Sequence, residues 1–406
     1  MTYQLRIALL SILFVAGCNR AGLPARASSS VAPSVVTSNP YGSAPVQGLP
    51  NPSNPYLSSQ GPSAGQWWER PYPVRFDPKS LSAAQSQLSV RGNHIANAEG
   101  EQVILRGVSI ADPDKLTFDG EWSRALFEEI ANWGANAVRL PIHPLPWRRR
   151  GKDWYLSRVD EAVRWANGLQ LYLIIDWHSI GNLKTEMFQH PMYETTATET
   201  AAFWRSIAFR YKDVPTLAVY ELFNEPTDNF IGNGSGSLGK VTWHEWAGMM
   251  EDLVDLIRGY NPSAIPLVAG LDWAYDLTPV RNAPLRREGV AYAIHPYPQK
   301  EKPKRPSPTA FRTLWQKKWG FVAERHPLIA TEWGWARSNE QGAHVPAVHD
   351  QAFYGRTLVD FMAKRGISWT AWCLDPDWAP TLITNWDYEL SEQGAFIKSV
   401  LQTEER

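Results

Sequence analysis

From about residue 88 onward, short unbroken apolar runs alternate with longer stretches whose apolar residues recur every three or four positions. The runs at 103–110, 137–142, 171–176, 217–223, 265–270, 289–294, 327–331 and 368–374 are rich in β-branched and aromatic residues and bounded by turn formers, which predicts buried strands. The stretches at 122–133, 155–169, 198–211, 243–260, 308–325 and 352–364 carry a helical period. Strands alternating with helices imply parallel pairing through right-handed crossovers, and eight strand units predict a closed (β/α)8 TIM barrel. The helix after the fifth strand is poorly marked. An open dinucleotide-binding sheet is the alternative, but no Gly-x-Gly-x-x-Gly opens the first helix. Segments 89–95 and 101–105 flank the turn Ala98-Glu99-Gly100, predicting an N-terminal β-hairpin whose second strand runs on into the first barrel strand. One barrel domain over residues 67–406 is expected, with no internal repeat and no second folded domain.

The texture ahead of the barrel is different. After Arg6 comes the apolar stretch 7–15, too short to span a bilayer comfortably, ending in Val15-Ala16-Gly17-Cys18. That tetrad resembles the bacterial lipobox, which implies that 1–17 is a signal peptide and that Cys18 is lipidated as the first mature residue. An ordinary secretory signal with a chance cysteine is the alternative. Asn19 resembles lipoproteins sent to the outer membrane, so an exported, membrane-anchored protein at the outer membrane or cell surface is expected. Residues 18–66 are dominated by Ser, Pro, Ala, Asn and Gly, too apolar-poor to offset the entropy of ordering, and read as a tether. The second of the two cysteines, Cys373, then has no intramolecular partner and reads as a buried packing residue.

Length accommodates one large α/β domain with appendages, the chain having 406 residues. With 40 basic and 41 acidic residues the net charge is −1, which argues against a nucleic-acid partner. The 20 tryptophans outnumber the 15 tyrosines and 14 phenylalanines. Some must be core, and the set also suits a groove in which indoles stack on pyranose rings. The basic run 300–305, with its prolines, reads as a solvated loop.

The chemistry lies at strand ends. Leu222-Phe223-Asn224-Glu225-Pro226 and Ile329-Ala330-Thr331-Glu332-Trp333-Gly334 each end an apolar run in a carboxylate, and barrel enzymes hold catalytic groups at the ends of rigid strands. Two facing carboxylates are what cleavage of a sugar linkage needs. Arg139, His178, Asn224, His295, Tyr297 and Trp372 recur at the ends of other strands and are expected to converge on the same mouth. Trp147, Trp177, Trp273, Trp333, Trp335 and Trp378 lie at or just past strand ends, where each suits a sugar subsite and loop packing equally. Asp176 would orient His178 or satisfy loop backbone.

Over roughly residues 88–400 the chain resembles glycoside hydrolase family 5, the cellulase family of a large retaining clan, and Asn224-Glu225-Pro226 is the most specific motif. The resemblance implies Glu225 as general acid/base and Glu332 as nucleophile, with Asn224 on the sugar 2-hydroxyl and Arg139 and Tyr297 on the nucleophile. His178 and His295 would hold sugar hydroxyls or neighbouring acids, and Trp372 would be the platform at the cleavage site. Trp273 and Trp378 are further substrate-binding candidates. Arg and Tyr bonds to Glu332 would favour its ionised, attacking form. Glu225 must begin protonated, so it is expected to be raised by partial burial and the neighbouring anion.

The implied activity is retaining hydrolysis of a β-linked polysaccharide, foremost an endo-acting β-1,4-glucanase, by a monomer. Mannan, xyloglucan and β-1,3-glucan stay open as substrates, as do transglycosylation and a surface glycan-binding lipoprotein whose barrel no longer cleaves. No metal or other cofactor is expected: there is no His-x-His pair, His244-Glu245 lacks the second histidine of a zinc protease motif, and no Gly-x-Ser-x-Gly elbow is present. The turn from Cys373 to Trp378 departs from the commonest cellulase pattern, and the long loops 181–196 and 228–240 leave the depth of the cleft open.

Overall fold

The computed structural model describes residues 74–229, 237–336 and 351–403. The leader, Cys18 and the proposed tether therefore lie outside the described residues. The eight expected strands form one closed parallel barrel in chain order. They are β3 (Arg106–Ile110), β4 (Ala137–Ile142), β5 (Tyr172–Trp177), β8 (Leu217–Glu221), β10 (Ile265–Ala269), β11 (Ala291–Ile294), β12 (Leu328–Ala330) and β13 (Ser368–Leu374), and β13 closes onto β3. Every residue of β4, β8 and β13 is buried, which is why these strands read as continuous apolar runs and not as half-polar alternation.

The outer layer is helical. Helix α6 (Trp243–Tyr260) opens with a Thr242/Glu245 capping box and buries Trp246, Met250, Leu253, Val254 and Ile257 at helical spacing. Helix α5 (Ala197–Arg210) is capped by Thr196, whose side chain accepts from the Glu199 amide, and buries Phe203, Trp204 and Ile207. Nine tryptophans, at 133, 177, 204, 246, 315, 319, 333, 335 and 369, are fully buried. At about 25 cal/mol per Å² and roughly 200 Å² for an indole, each contributes on the order of 5 kcal/mol of burial before ordering entropy is subtracted. Most of the tryptophan surplus is therefore core material.

Two local expectations need correction. The hairpin closes earlier than predicted: β1 (Ser89–Arg91) pairs antiparallel with β2 (His94–Ala96), turning at Gly92-Asn93, where Gly92 has φ +60°. The 98–100 turn is a second one, joining Ala96 to Gln102 by a single bridge, and β3 begins only at Arg106. Leu88, Ile95 and Leu105 then pack with barrel-interior residues Ala137, Ile174, Ala218 and Ile329, so the hairpin plugs the end where the strands begin. After β10 there is no long helix. Asp272, Trp273 and Ala274 take left-handed backbone (φ 58°, 54° and 56°), followed by a 3-10 turn at Thr278–Arg281.

The loop after β5 is built rather than open. It forms β6 (Ile180–Asn182) and β7 (Met187–Phe188), and β6 also pairs with the short β9 (Glu225–Pro226) that follows β8.

Candidate active site

Side chains alternate along a strand, so residues two apart share a face. Ala137, Ile174, Val219, Ala293 and Ile329 point into the apolar barrel interior. One step further along the same strands stand Arg139, Asp176, Glu221, His295 and Thr331, all fully buried. A polar layer thus sits directly on the apolar one. Beyond it, Asn224, Glu225 and Glu332 come from the turns that leave β8 and β12.

Arg139 organises this layer. Its Nε donates to Glu221 Oε2 at 2.7 Å, Nη1 to Glu332 Oε1 at 2.9 Å, and Nη2 to Asn224 Oδ1 at 2.7 Å, with Asp176 Oδ2 2.9 Å from Nη2. Burial alone would lower its affinity for the proton, but Asp176, Glu221 and Glu332 outweigh that and raise it further. Glu332 also accepts from the Tyr297 hydroxyl at 2.9 Å, through Oε2. Both oxygens of this carboxylate are therefore fixed by separate donors.

Glu225 has a different environment. His295 Nδ1 lies 2.9 Å and Lys300 Nζ 3.3 Å from the same oxygen, Oε1. His295 Nε2 lies 3.0 Å from Thr331 Oγ1, and that hydroxyl donates to Glu221 Oε1 at 2.7 Å. With the hydroxyl proton committed to Glu221, Thr331 accepts from His295 Nε2. Burial opposes a charged imidazole, yet Glu332, Glu221 and Glu225 push His295 up to about 9. Burial likewise tends to raise Glu225, but Lys300 and His295 outweigh it and hold the carboxyl below its usual value. In place of the expected raised acid, the free site favours a charged His295 beside an ionised Glu225. The reason is Lys300 together with His295, and Lys300 belongs to the site and not to a solvated loop.

An oxygen of Glu225, an oxygen of Glu332 and a nitrogen of His295 all lie within 4.8 Å of one another. This is the one set of donors among the described residues close enough to bracket a cation. Arg139, His295 and Lys300 already supply positive charge there.

His178 Nδ1 is 2.6 Å from Asp176 Oδ2, and burial, His143, Arg139 and His295 keep the ring neutral by lowering it. Its ring lies nearly parallel to Trp372, with centroids 5.5 Å apart, and Trp372 is in turn parallel to Trp378 at 5.9 Å. Trp378 is held by the turn that precedes it: Asp375 Oδ1 accepts from the Asp377 and Trp378 amides, and Asp375 Oδ2 from buried Lys115 at 2.7 Å. Cys373, beside Trp372, is buried, and burial pushes its thiol up.

Every candidate site residue in the described portion comes to this mouth or its rim. Arg139, Asn224, Glu225, His295, Tyr297 and Glu332 are linked directly, while His178, Trp372 and Trp378 line one side. Trp273 is on the other rim, under Lys300, whose Nζ lies 5.0 Å from its ring centroid. Of the other tryptophans considered, Trp147 and Trp177 pack edge-on to each other and against Phe203, and Trp333 packs against Trp335 and Trp369. These four are core residues. Glu221, Thr331, Lys300, Lys115 and His143, whose ring is 4.4 Å from His178, were missed. For Glu221 and Thr331 the signal was available, since each lies two residues past an interior apolar position. Lys300 carried no local signal.

The model of the cellulase family, glycosyl hydrolase family 5, matches residues 96–377. The chain belongs to that family, whose members are glycosidases. A β-glucanase from Saccharophagus degradans, solved in complex with cellotetraose, is 54% identical with a TM-score of 0.79, covering 83% of this chain and 98% of that one. Endoglucanase A of Butyrivibrio fibrisolvens is 27% identical over 221 residues, 52% of this chain and 45% of the relative. Endoglucanase N of Pectobacterium atrosepticum is 25% identical over 300 residues, 71% and 57%. The chain thus spans about half the length of these curated relatives.

Proposed function

We propose that the protein is a retaining, endo-acting β-glucanase, foremost on β-1,4-linked glucan, with Glu332 as nucleophile and Glu225 as general acid/base. The observation that carries this reading is the unequal fixing of two carboxylates whose oxygens approach within 4.8 Å. So close an approach suits direct attack, as in retaining enzymes, better than the wider gap an inverting enzyme leaves for a water. Glu332 is held at both oxygens by Arg139 and Tyr297, which orients it for attack on the anomeric carbon. Asn224 accepts from Arg139 through its amide oxygen, and its buried Nδ2 has no partner among the described residues, which fits a donor for the sugar 2-hydroxyl.

The proton for the leaving oxygen is shared by Glu225 and His295. A sugar filling the site excludes water and makes two facing anions costlier, favouring transfer from His295 Nδ1 to Glu225 across their 2.9 Å contact. Glu225 then protonates the departing oxygen as Glu332 forms the glycosyl ester. In the second half Glu225, again anionic, takes a proton from water, and the ester opens with net retention. The cellotetraose complex of the Saccharophagus degradans relative supports a glucan as the substrate.

The lipobox-like Val15-Ala16-Gly17-Cys18 supports export and anchoring through Cys18, with the 18–66 tether giving the catalytic domain 67–406 reach.

Reducing-sugar release from carboxymethyl cellulose, mixed-linkage glucan, xyloglucan and mannan, beside Glu332→Gln, tests the reading. Release from a glucan by the wild type and none by the variant is expected. Release from mannan alone would overturn the substrate, and retention of a polymer without release by either protein would make this a binding module.

A further inference from the structure

We propose that Lys300 is a positioning residue that holds Glu225 by its Oε1 and biases it toward the base half of the double displacement. This rests on the assignment of Glu225 above. The turn from Tyr297 to Lys300, closed by the Lys300 amide on the Tyr297 carbonyl, delivers one group to each carboxylate: the Tyr297 hydroxyl to Glu332 and the Lys300 ammonium to Glu225.

Among the described residues Lys300 forms an ion pair with one carboxylate, Glu225, while its field also reaches Asp272. Its other contact is a neutral acceptor, the Trp273 carbonyl at 3.3 Å. By contrast, Lys115 meets Asp119, Asp375 and Asp377, Lys318 meets Asp276 and Glu301, and Arg139 meets three carboxylates. Those cations anchor structure across several partners. Lys300 spans from the loop after β11 to the turn after β8 and to the left-handed Trp273 turn, and it is 10% exposed.

Charged and titratable groups face Glu225 from each neighbouring element. His295 comes from β11, Glu221 from β8, Glu332 from the end of β12, and Arg139 and Asp176 from β4 and β5. Tyr297 and Tyr193 come from loops. In that field a cation touching Oε1 opposes protonation of Glu225. The first chemical step needs the protonated form and the second needs the anion, so Lys300 favours the second. Removing its charge lets Glu225 keep a proton to higher pH, extending the acid role upward and costing the base role at low pH.

The test is kcat/KM and kcat against pH for wild type, Lys300→Met and Lys300→Arg, on phenyl and 2,4-dinitrophenyl β-cellobiosides. For Lys300→Met the alkaline limb of kcat/KM on the phenyl substrate moves to higher pH. On the dinitrophenyl substrate, whose departure needs no proton, kcat falls off earlier at low pH. Lys300→Arg restores the wild-type profile. Superimposable profiles for Lys300→Met, with a change in KM alone, would overturn the proposal and make Lys300 a loop anchor; Lys300→Gln serves if the Met variant does not fold. Glu225→Ala is run in parallel. Loss on the phenyl substrate, with glycosylation by the dinitrophenyl one kept and azide restoring turnover, is expected of an acid/base. Without that pattern the assignment of Glu225 fails, whatever Lys300 does.

Discussion

Asn224 shows how far one side chain can be read from its bonds. Its oxygen is committed to Arg139 at 2.7 Å, which fixes the amide and leaves Nδ2 buried with no partner among the described residues. A buried donor without an acceptor is costly unless a ligand supplies one. Bonds to the 2-hydroxyl that strengthen in the transition state contribute several kcal/mol, so Asn224→Ala should lower kcat/KM on an aryl β-glucoside roughly 10²-fold or more. The same substitution should cost little on the 2-deoxy glycoside, and an equal loss on both would show that Asn224 acts through Arg139 instead. The residues bearing visible chemistry, from Arg139 to Glu332, were legible because each is a polar or aromatic residue in or just past an apolar strand run. Lys300 was not, because its role depends on a loop crossing from β11 to Glu225, and no periodicity records that. The proton's position was likewise illegible: it follows from Lys300 and Thr331, two groups far from Glu225 in sequence.

At the level of elements, Glu225 owes its placement to a three-stranded sheet outside the barrel. The Glu225 amide donates to the Ser179 carbonyl at 3.1 Å, and the Thr227 amide to that of Gly181 at 3.0 Å. A Cβ on Gly181 would meet the Met187 carbonyl oxygen at 2.5 Å and Phe188 Cα at 2.7 Å, both backbone atoms that cannot step aside singly. Gly181→Ala should therefore push β6 and β7 apart and displace Glu225. A misplacement of about 1 Å costs on the order of 10²-fold in rate, with the barrel itself intact. Kinetics beside thermal unfolding checks this: lost activity with an unchanged unfolding midpoint is expected, and unchanged kinetics would refute the coupling. The barrel strands were legible because full burial leaves unbroken apolar runs. The β6/β7/β9 sheet was not, since two- and three-residue strands carry no period. The left-handed 272–274 turn was equally silent, because no glycine marks it.

At the scale of the molecule, the (β/α)8 order was legible from alternation alone, while the tryptophan count did not say which indoles are core and which lie at the mouth. Most indoles fill the interface between helices and barrel, and those at the mouth are Trp372, Trp378 and Trp273. No helix among the described residues is long and apolar enough to cross a membrane, and anchoring through a lipid at Cys18 is a proposal to be tested. Membrane-fraction protein should begin at a diacylated Cys18 by mass of its N-terminal peptide. Soluble protein beginning elsewhere would contradict the anchor.

The account's central claim is that the two carboxylates have separate roles, with Glu332 attacking. The direct measurement is trapping with 2,4-dinitrophenyl 2-deoxy-2-fluoro-β-cellobioside followed by peptide mass mapping. The account predicts one equivalent of fluoroglycosyl ester on Glu332 and released dinitrophenolate in a matching burst. A label on Glu225, or turnover to the inverted anomer with no label anywhere, would contradict it.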